Sequence, residues 1–271
     1  MQISGAQMVI EALIAEEVEV IFGYPGGAIM NVYDEIYKQG SFQHVLTRHE
    51  QAAVHAAEGY AKASGKVGVA MITSGPGFTN AITGIADAYM DSIPLVVISG
   101  QVPMSLIGTD AFQEIDAVGI SRPCTKHNYL VTDAADLPRV LKEAFYLART
   151  GRPGPVHVDI PKDVTAQIAT FDYSKEVELE TYKPTIKGNA RQIKKAIEAI
   201  AAAKRPLLYL GGGVVSAGAA DLVRQFSTMT QIPAVETFMA RGTLHHADPL
   251  LISMLGMHGS YAANMAMSET D

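Results

Sequence analysis

"KVGVAMITSGPGFTNAITGIADAYMDSIPLVVISGQ", residues 66–101, reads as strand, glycine loop, helix and strand in succession. Val67 to Thr73 and Leu95 to Ser99 are apolar runs without alternation, as expected of strands covered on both faces of a parallel sheet. The same unit recurs on either side. Upstream, Met8, Val9, Ala12 and Leu13 fall at helical spacing, followed by the β-branched run Val18 to Phe22 and the loop "GYPGGA"; "HVLT" then leads into a helix over residues 50–64. Downstream, a helix around Leu137 to Thr150 precedes the strand "GPVHVDIP". Strands alternating with helices in this way predict an α/β fold, a doubly wound parallel sheet with helices on both faces.

This first domain is expected to span residues 1–165. Residues 166–188, ending "EVELETYKPTIKG", are polar and read as a linker. Residues 189–271 open a second α/β domain: a helix over 189–203, strand "PLLYL", "GGG", a helix over 217–229, "PAVE" and a third strand within 251–256. Two or three strands are few for a doubly wound sheet, so this second domain is expected to be incomplete.

The totals narrow the function classes. Of 271 residues, 48% are hydrophobic and 18% charged, which suits a globular protein. A formal net charge of −7 offers no basic field for a polyanion, so small molecules are expected as ligands rather than nucleic acid. A single cysteine, Cys124, excludes an internal disulfide and suits a reducing compartment, with the cytoplasm as the expected location. The N-terminus has no positively charged leader, and no run of about 18 uncharged apolar residues predicts a membrane span.

Several motifs fail on inspection. "YPGGA" and "SGPG" follow strands and precede helices, where backbone amides can meet an anion, yet neither carries the lysine of a P-loop, and a plain tight turn is the simpler reading. "LGGGVVSAG" places Ser216 where a dinucleotide fingerprint wants Gly or Ala. His49-Glu50 begins a zinc-protease motif that Ala53 breaks, and His245-His246 lacks companion ligands, so no metal site is expected. Cys124 near His127 reads as a small buried hydrophobe, and Ser74 has no assigned base.

Glu50 stands apart, as a carboxylate at the C-terminal edge of a strand, where open α/β sheets place ligands. Thr47-Arg-His-Glu50 fits a capping box, in which Glu50 at the third helical position would reach back to the Thr47 amide. Locally two fates remain open: a solvated helix cap, or a buried carboxylate whose proton affinity rises against an apolar ligand.

Read together, "GYPGGAIMNVYDEI", "RHEQAAVHAAEGYAKASG", "TSGPGFTNAITGIADAYMDSIPLVVISGQVP", "GTDAFQEIDAV", "TKHNYLV", "GRPGPVHVDIPKDV" and "LGMHGSYAANMAM" resemble the large catalytic subunit of the acetolactate synthase (acetohydroxyacid synthase) family over nearly the whole chain. "GTDAFQE", "KHNYLV" and "GMHG" are the specific segments. The resemblance implies a pyrimidine-binding domain of thiamine-diphosphate type followed by the first part of an FAD-binding middle domain. It implies condensation of two 2-keto acids, pyruvate with pyruvate or 2-ketobutyrate, with loss of carbon dioxide, in branched-chain amino-acid (valine and isoleucine) biosynthesis. A glutamate at the position of Glu50 would hydrogen-bond N1′ of the cofactor's aminopyrimidine and favour the tautomer that takes the C2 proton.

By the same resemblance Gly26, Gly27 and Ala28 lie beside the cofactor and substrate, and Pro76 and Asn80 near the pyrimidine. Phe112 and Gln113 would line the active site from a neighbouring subunit, with core packing as the plain alternative for Phe112. Lys162 would sit at the substrate entrance. Arg152, Gly211, Gly212, Gly213, Met257, His258 and Gly259 match segments that hold FAD; a surface ion pair is the plain alternative for Arg152. The family uses Mg²⁺ through a Gly-Asp-Gly motif that this sequence does not contain, so the metal site is expected outside the chain. The chain is accordingly expected to be a fragment, inactive on its own. A homodimer or larger homo-oligomer is implied, with a regulatory small subunit as a further partner. Other thiamine-diphosphate decarboxylases and oxidases share the plan; glyoxylate carboligase lacks the glutamate. A non-catalytic nucleotide-binding module and a nicotinamide dehydrogenase are the readings from other classes.

Overall fold

A computed structural model describes residues 1–174 and 176–271. The chain forms two compact units, Met1–Thr185 and Ile186–Asp271. The first begins with Gln2–Ser4 (β1), Gly5–Ala15 (α1), Val20–Gly23 (β2), Met30–Lys38 (α2), Gln43–Leu46 (β3), Glu50–Ser64 (α3) and Gly68–Ile72 (β4). It continues through Pro76–Asp91 (α4), Leu95–Gln101 (β5), Ala117–Ser121 (α5), His127–Leu130 (β6), Leu137–Arg149 (α6), Pro155–Pro161 (β7), Lys162–Ala166 (α7) and Ile168–Thr170 (β8).

Six of these strands form one sheet in the order β3-β2-β4-β5-β7-β6, every neighbour parallel. The apolar runs of β4, β5 and β7 are buried at every residue, because helices cover the sheet on both faces. The N-terminal helix supplies Met8, Val9, Ala12 and Leu13 to that core, all with no exposed surface. From β2 the chain steps outward to β3, then crosses back so that β4 lies on the other side of β2. Open α/β sheets bind ligands at such a reversal of strand order, outside the carboxyl ends of the strands.

A small antiparallel pair, β1 with β8, closes the first unit. Beyond it Phe171, Tyr173, Leu179 and Tyr182 pack against the main core. Much of the stretch read as linker from its polar composition therefore lies on the first unit.

The second unit contains Ala190–Ala202 (α8), Leu208–Leu210 (β9), Gly212–Ser216 (α9), Ala220–Thr230 (α10), Ala234–Glu236 (β10), Leu251–Met254 (β11) and Tyr261–Glu269 (α11). Its three strands are parallel in the order β11-β10-β9, around a small core of Leu210, Ala234, Ala240 and Leu244.

Candidate active site

Loops leaving β2, β3 and β4 meet at the reversal of strand order, and Glu50 is the first residue of the helix that follows β3. The helices α3 and α4 approach closely because their facing residues are small. Ala53, Val54, Ala57 and Ala61 are buried on one, and Ala81, Gly84, Ile85 and Ala88 on the other. A Cβ at Gly84 would stand 2.7 Å from Val54 Cγ1, so a larger residue there would push the helices apart. This approach lets Asn80 Nδ2 donate to Glu50 Oε2 at 2.9 Å. The alanine-rich character of α3 thus has a functional consequence: it sets the carboxylate against an amide of the next helix.

The capping box is corrected by the structure. The N-cap is His49, extended at φ −158° and ψ 139°, and its Nδ1 accepts from the Gln51 amide. Thr47 cannot serve, because its own amide donates to the Gly23 carbonyl at 3.0 Å, extending the β2–β3 pairing. Glu50 is consequently the first helical residue, and its side chain turns inward with 8% of its surface exposed. Among the described residues no hydrogen bond reaches Oε1, which lies beside Gly77: a Cβ there would come within 3.3 Å of it and 2.7 Å of Thr73 Cγ2.

Two site residues carried no sequence signal. Thr73, at the end of β4, is buried, and among the described residues its Oγ1 has no hydrogen-bond partner. A buried hydroxyl without a partner costs free energy and marks a place where a ligand group can be received. Tyr33 donates to the Met71 carbonyl at 2.9 Å, and burial first and the Glu50 charge second push its phenol far up, so it stays a neutral donor. Thr73 directly follows the apolar strand β4 and Tyr33 lies within helix α2, positions where nothing in the sequence marks a polar side chain as facing a ligand.

The glycines of the first loop differ in what they allow. A Cβ at Gly26 would lie 2.5 Å from the Thr73 side chain, whereas one at Gly27 would meet nothing within 4 Å. Gly26 is required by a close approach and Gly27 borders open space. Ala28 is 9% exposed and packs on Gly100 of β5. Pro76 is the first residue of α4, where its missing N–H and fixed φ are tolerated. Gly75 before it has φ +57°, and a Cβ there would meet the Gln113 carbonyl oxygen at 2.5 Å. Gln113, itself at φ +59°, is thereby seated beside the start of α4 within the same chain.

Phe112 is 87% exposed, which rules out core packing for it. Lys162 is exposed at the C-terminal end of β7. Arg152 Nε donates to Ser92 Oγ at 2.7 Å; among the described residues its partners are that hydroxyl and the Met90 carbonyl, not a carboxylate. In the second unit Gly211, Gly212 and Gly213 follow β9, and Met257, His258 and Gly259 follow β11, so both segments leave the same edge of one parallel sheet. Met257 is 90% exposed there.

Deeper in the first unit, Asp159 is 1% exposed. It receives Ser99 Oγ at 2.6 Å and Gln101 Nε2 at 3.0 Å, and burial pushes its pKa up to about 7. His157 lies between Ser99 and Ser121 hydroxyls, at 2.7 and 3.1 Å, stacked on Phe78, and burial lowers its pKa to about 3. Elsewhere His55, Glu58 and Asp87 stand close enough to share a cation, but Lys62 already holds Glu58 at 2.7 Å.

The arrangement around Glu50 is a carboxylate with one oxygen fixed by an amide and the other beside Gly77. Such a group can accept an N–H from a ring and exchange its proton with it.

Residues 3–120 match the model for "Thiamine pyrophosphate enzyme, N-terminal TPP binding domain", and residues 193–271 that for "Thiamine pyrophosphate enzyme, central domain". The acetolactate synthase large subunit of Haemophilus influenzae is 52% identical over 272 residues, covering 100% of this chain and 48% of the relative. The isozyme 3 large subunit of Escherichia coli is 52% identical over 271 residues, covering 99% and 47%. The acetolactate synthase large subunit of Lactococcus lactis is 51% identical over 268 residues, covering 99% and 47%. The chain spans about half the length of these relatives.

Proposed function

Because the chain belongs to the thiamine pyrophosphate enzymes, alongside the acetolactate synthase large subunits, we propose that it supplies the pyrimidine side of an acetolactate synthase active site. The reaction is the decarboxylating condensation of pyruvate with pyruvate or 2-ketobutyrate. One observation carries this reading: the inward Glu50 carboxylate, held through Oε2 by Asn80 and left unbonded at Oε1 beside Gly77.

The residues present fit thiamine diphosphate. The unpartnered Thr73 hydroxyl offers a hydrogen bond to a ligand inserted beside β4. Gly26 and Gly77 let backbone approach it closely, and Gly27 leaves room for it. When bound, the cofactor supplies the carbanion that a keto acid alone cannot stabilise. Glu50 Oε1 accepts the hydrogen bond from a ring nitrogen and holds or returns its proton, while Asn80 fixes the carboxylate and Tyr33, neutral, contributes no competing charge. Pro76 shapes the start of α4, and Phe112, Gln113 and Lys162 face the keto acid at the mouth. Closed against water, the site would protect the reactive carbon from stray protonation.

FAD is assigned to the glycines 211–213 and to Met257, His258 and Gly259, supported by their shared sheet edge. No residue of the chain is assigned to Mg²⁺. The relatives' designation "large subunit" supports a smaller subunit as partner, to which this reading gives a regulatory role, and a homo-oligomer in the cytoplasm belongs to the same reading. Among the described residues no helix is long and apolar enough to cross a membrane.

The test is Glu50→Gln in the natural gene product loaded with thiamine diphosphate. Deuterium exchange at the cofactor's C2 position should slow by roughly 10²-fold or more, the usual contribution of a positioned acid–base group. Equal exchange in the two proteins would remove Glu50 from the reaction.

A further inference from the structure

The segment between β5 and α5 has little regular structure, and three carboxylates outside the site hold it, Glu114, Asp159 and Asp163. At its centre Glu114 gathers three amides. Gly108 N–H donates to Oε1, and Thr109 and Ala111 N–H donate to Oε2 at 3.3 and 2.9 Å. These backbone donors hold the Glu114 carboxyl below its ordinary value. At its C-terminal end the buried Gln101 amide donates at once to the Ile115 carbonyl, at 2.9 Å, and to Asp159 Oδ2, at 3.0 Å. Asp159 is fixed in turn by Ser99. Met104 N–H is tied to Asp163 Oδ1 at 3.1 Å.

What this scaffold presents is specific. Phe112 projects into solvent, and Gln113 takes up a left-handed conformation that lays its backbone on Gly75. Gly75 caps the helix whose second residue, Gly77, borders Glu50 Oε1. A left-handed non-glycine residue is held only where its surroundings over-determine it, and the Glu114 carboxylate and the Gln101–Asp159 bridge flank it on one side. The path from Glu114 to the reacting carboxylate is therefore short and made of backbone contacts.

We propose that Glu114 and Asp159 are positioning residues. Without touching substrate, they preform the 102–116 loop so that Phe112 and Gln113 meet the 2-keto acid at the mouth of the Glu50 site. The substrate part rests on the function proposed above; the holding of the loop does not. Loop order paid in advance lowers the cost of ordering those side chains on binding, so its loss appears in substrate affinity before it appears in proton chemistry at Glu50.

The experiment pairs amide hydrogen exchange of the whole chain with kinetics of the natural gene product, for Glu114→Gln and Asp159→Asn. In Glu114→Gln the amides of Gly108, Thr109 and Ala111 should exchange about tenfold faster or more, as expected for losing bonds to a charged acceptor. The KM for pyruvate should rise about fivefold or more, while C2 exchange of bound thiamine diphosphate stays within about twofold of wild type. In Asp159→Asn, where an amide would face the Gln101 amide, faster exchange should extend to residues 115 and 116. Glu114 lies in the loop itself, so its variant decides the matter if Asp159→Asn does not fold. Unchanged loop exchange in Glu114→Gln overturns the proposal, and so does a loosened loop with unchanged KM. Wild-type protein that fails to turn over pyruvate overturns the functional reading and with it the substrate part, while the exchange data still decide whether the carboxylates hold the loop.

Discussion

Thr73 has its polar atom in the least favourable place, a hydroxyl buried at the end of β4 with no partner. Replacing it by valine removes that atom at nearly constant shape, and the cost of an unsatisfied buried hydroxyl is about 1–3 kcal/mol. In the absence of cofactor, Thr73→Val should therefore melt at the same temperature as wild type or a few degrees higher. With thiamine diphosphate present, it should lose part of the thermal shift that the wild type gains. A variant that is destabilised without cofactor and shifted normally with it would mean that the hydroxyl serves the fold instead. At this scale the sequence was readable only through its resemblance to a family. Glu50, Asn80 and the glycines came from matched segments, and Glu50 by itself read first as a helix cap. Thr73, at the end of a strand, and Tyr33, on helix α2, were invisible because nothing in a one-dimensional pattern distinguishes a side chain facing a ligand from one facing the core.

Elements were more legible, since long apolar runs and 3.6-residue spacing report burial directly. The expected strands through Val69, Val97 and Val158, and the helices begun at Glu50 and Leu137, all appear. The start of α3 was misread in its detail, because whether Thr47 or His49 caps it depends on the β2–β3 pairing, a contact between distant residues. Strands β5 and β7 carry a further property of this kind: two titratable groups joined through Ser99. Burial raises Asp159 from 3.8 to about 7, so between about pH 4 and 7 the folded chain binds a proton that the unfolded chain does not. That contribution is fully present below pH 4 and is lost as the pH rises through 7. His157 is lowered from 6.5 to about 3, so its contribution is present above pH 6.5 and is lost as the pH falls toward 3. Over the shared window the two slopes oppose each other. Asp159→Asn removes the first and leaves the second. Urea midpoints at about pH 4.5, 6 and 7.5 should accordingly show the variant gaining on wild type as the pH rises. A constant gap across that range would mean that Asp159 does not titrate between the folded and unfolded states as its burial requires.

For the whole molecule, the informative region is the stretch after residue 165, where composition and structure point different ways. Its average is polar, yet its aromatic residues are spaced among the charges and each finds a place on the first unit. Tyr173 donates to Glu16, just after α1, at 3.1 Å and accepts Lys142 of α6 at its carbonyl. Tyr182 donates to the Thr150 carbonyl at 2.8 Å and lies under the Lys126 ammonium. Pairing of β8 with β1 ties the same stretch to the N-terminus. Each partly buried aromatic contributes about 1 kcal/mol or more, so together with the strand pair they supply several kcal/mol, a large share of a typical 5–15 kcal/mol margin. The boundary is therefore a stability question with a direct test. A chain ending at residue 185 should melt cooperatively with intact tyrosine near-ultraviolet dichroism. One ending at residue 165, where composition alone would cut, should melt roughly 10 °C lower or fail to fold, given a few degrees per kcal/mol for a unit of this size. Equal midpoints for the two would show that the segment rests on the first unit without stabilising it. The Glu50 site would then depend on the parallel sheet and its helices alone.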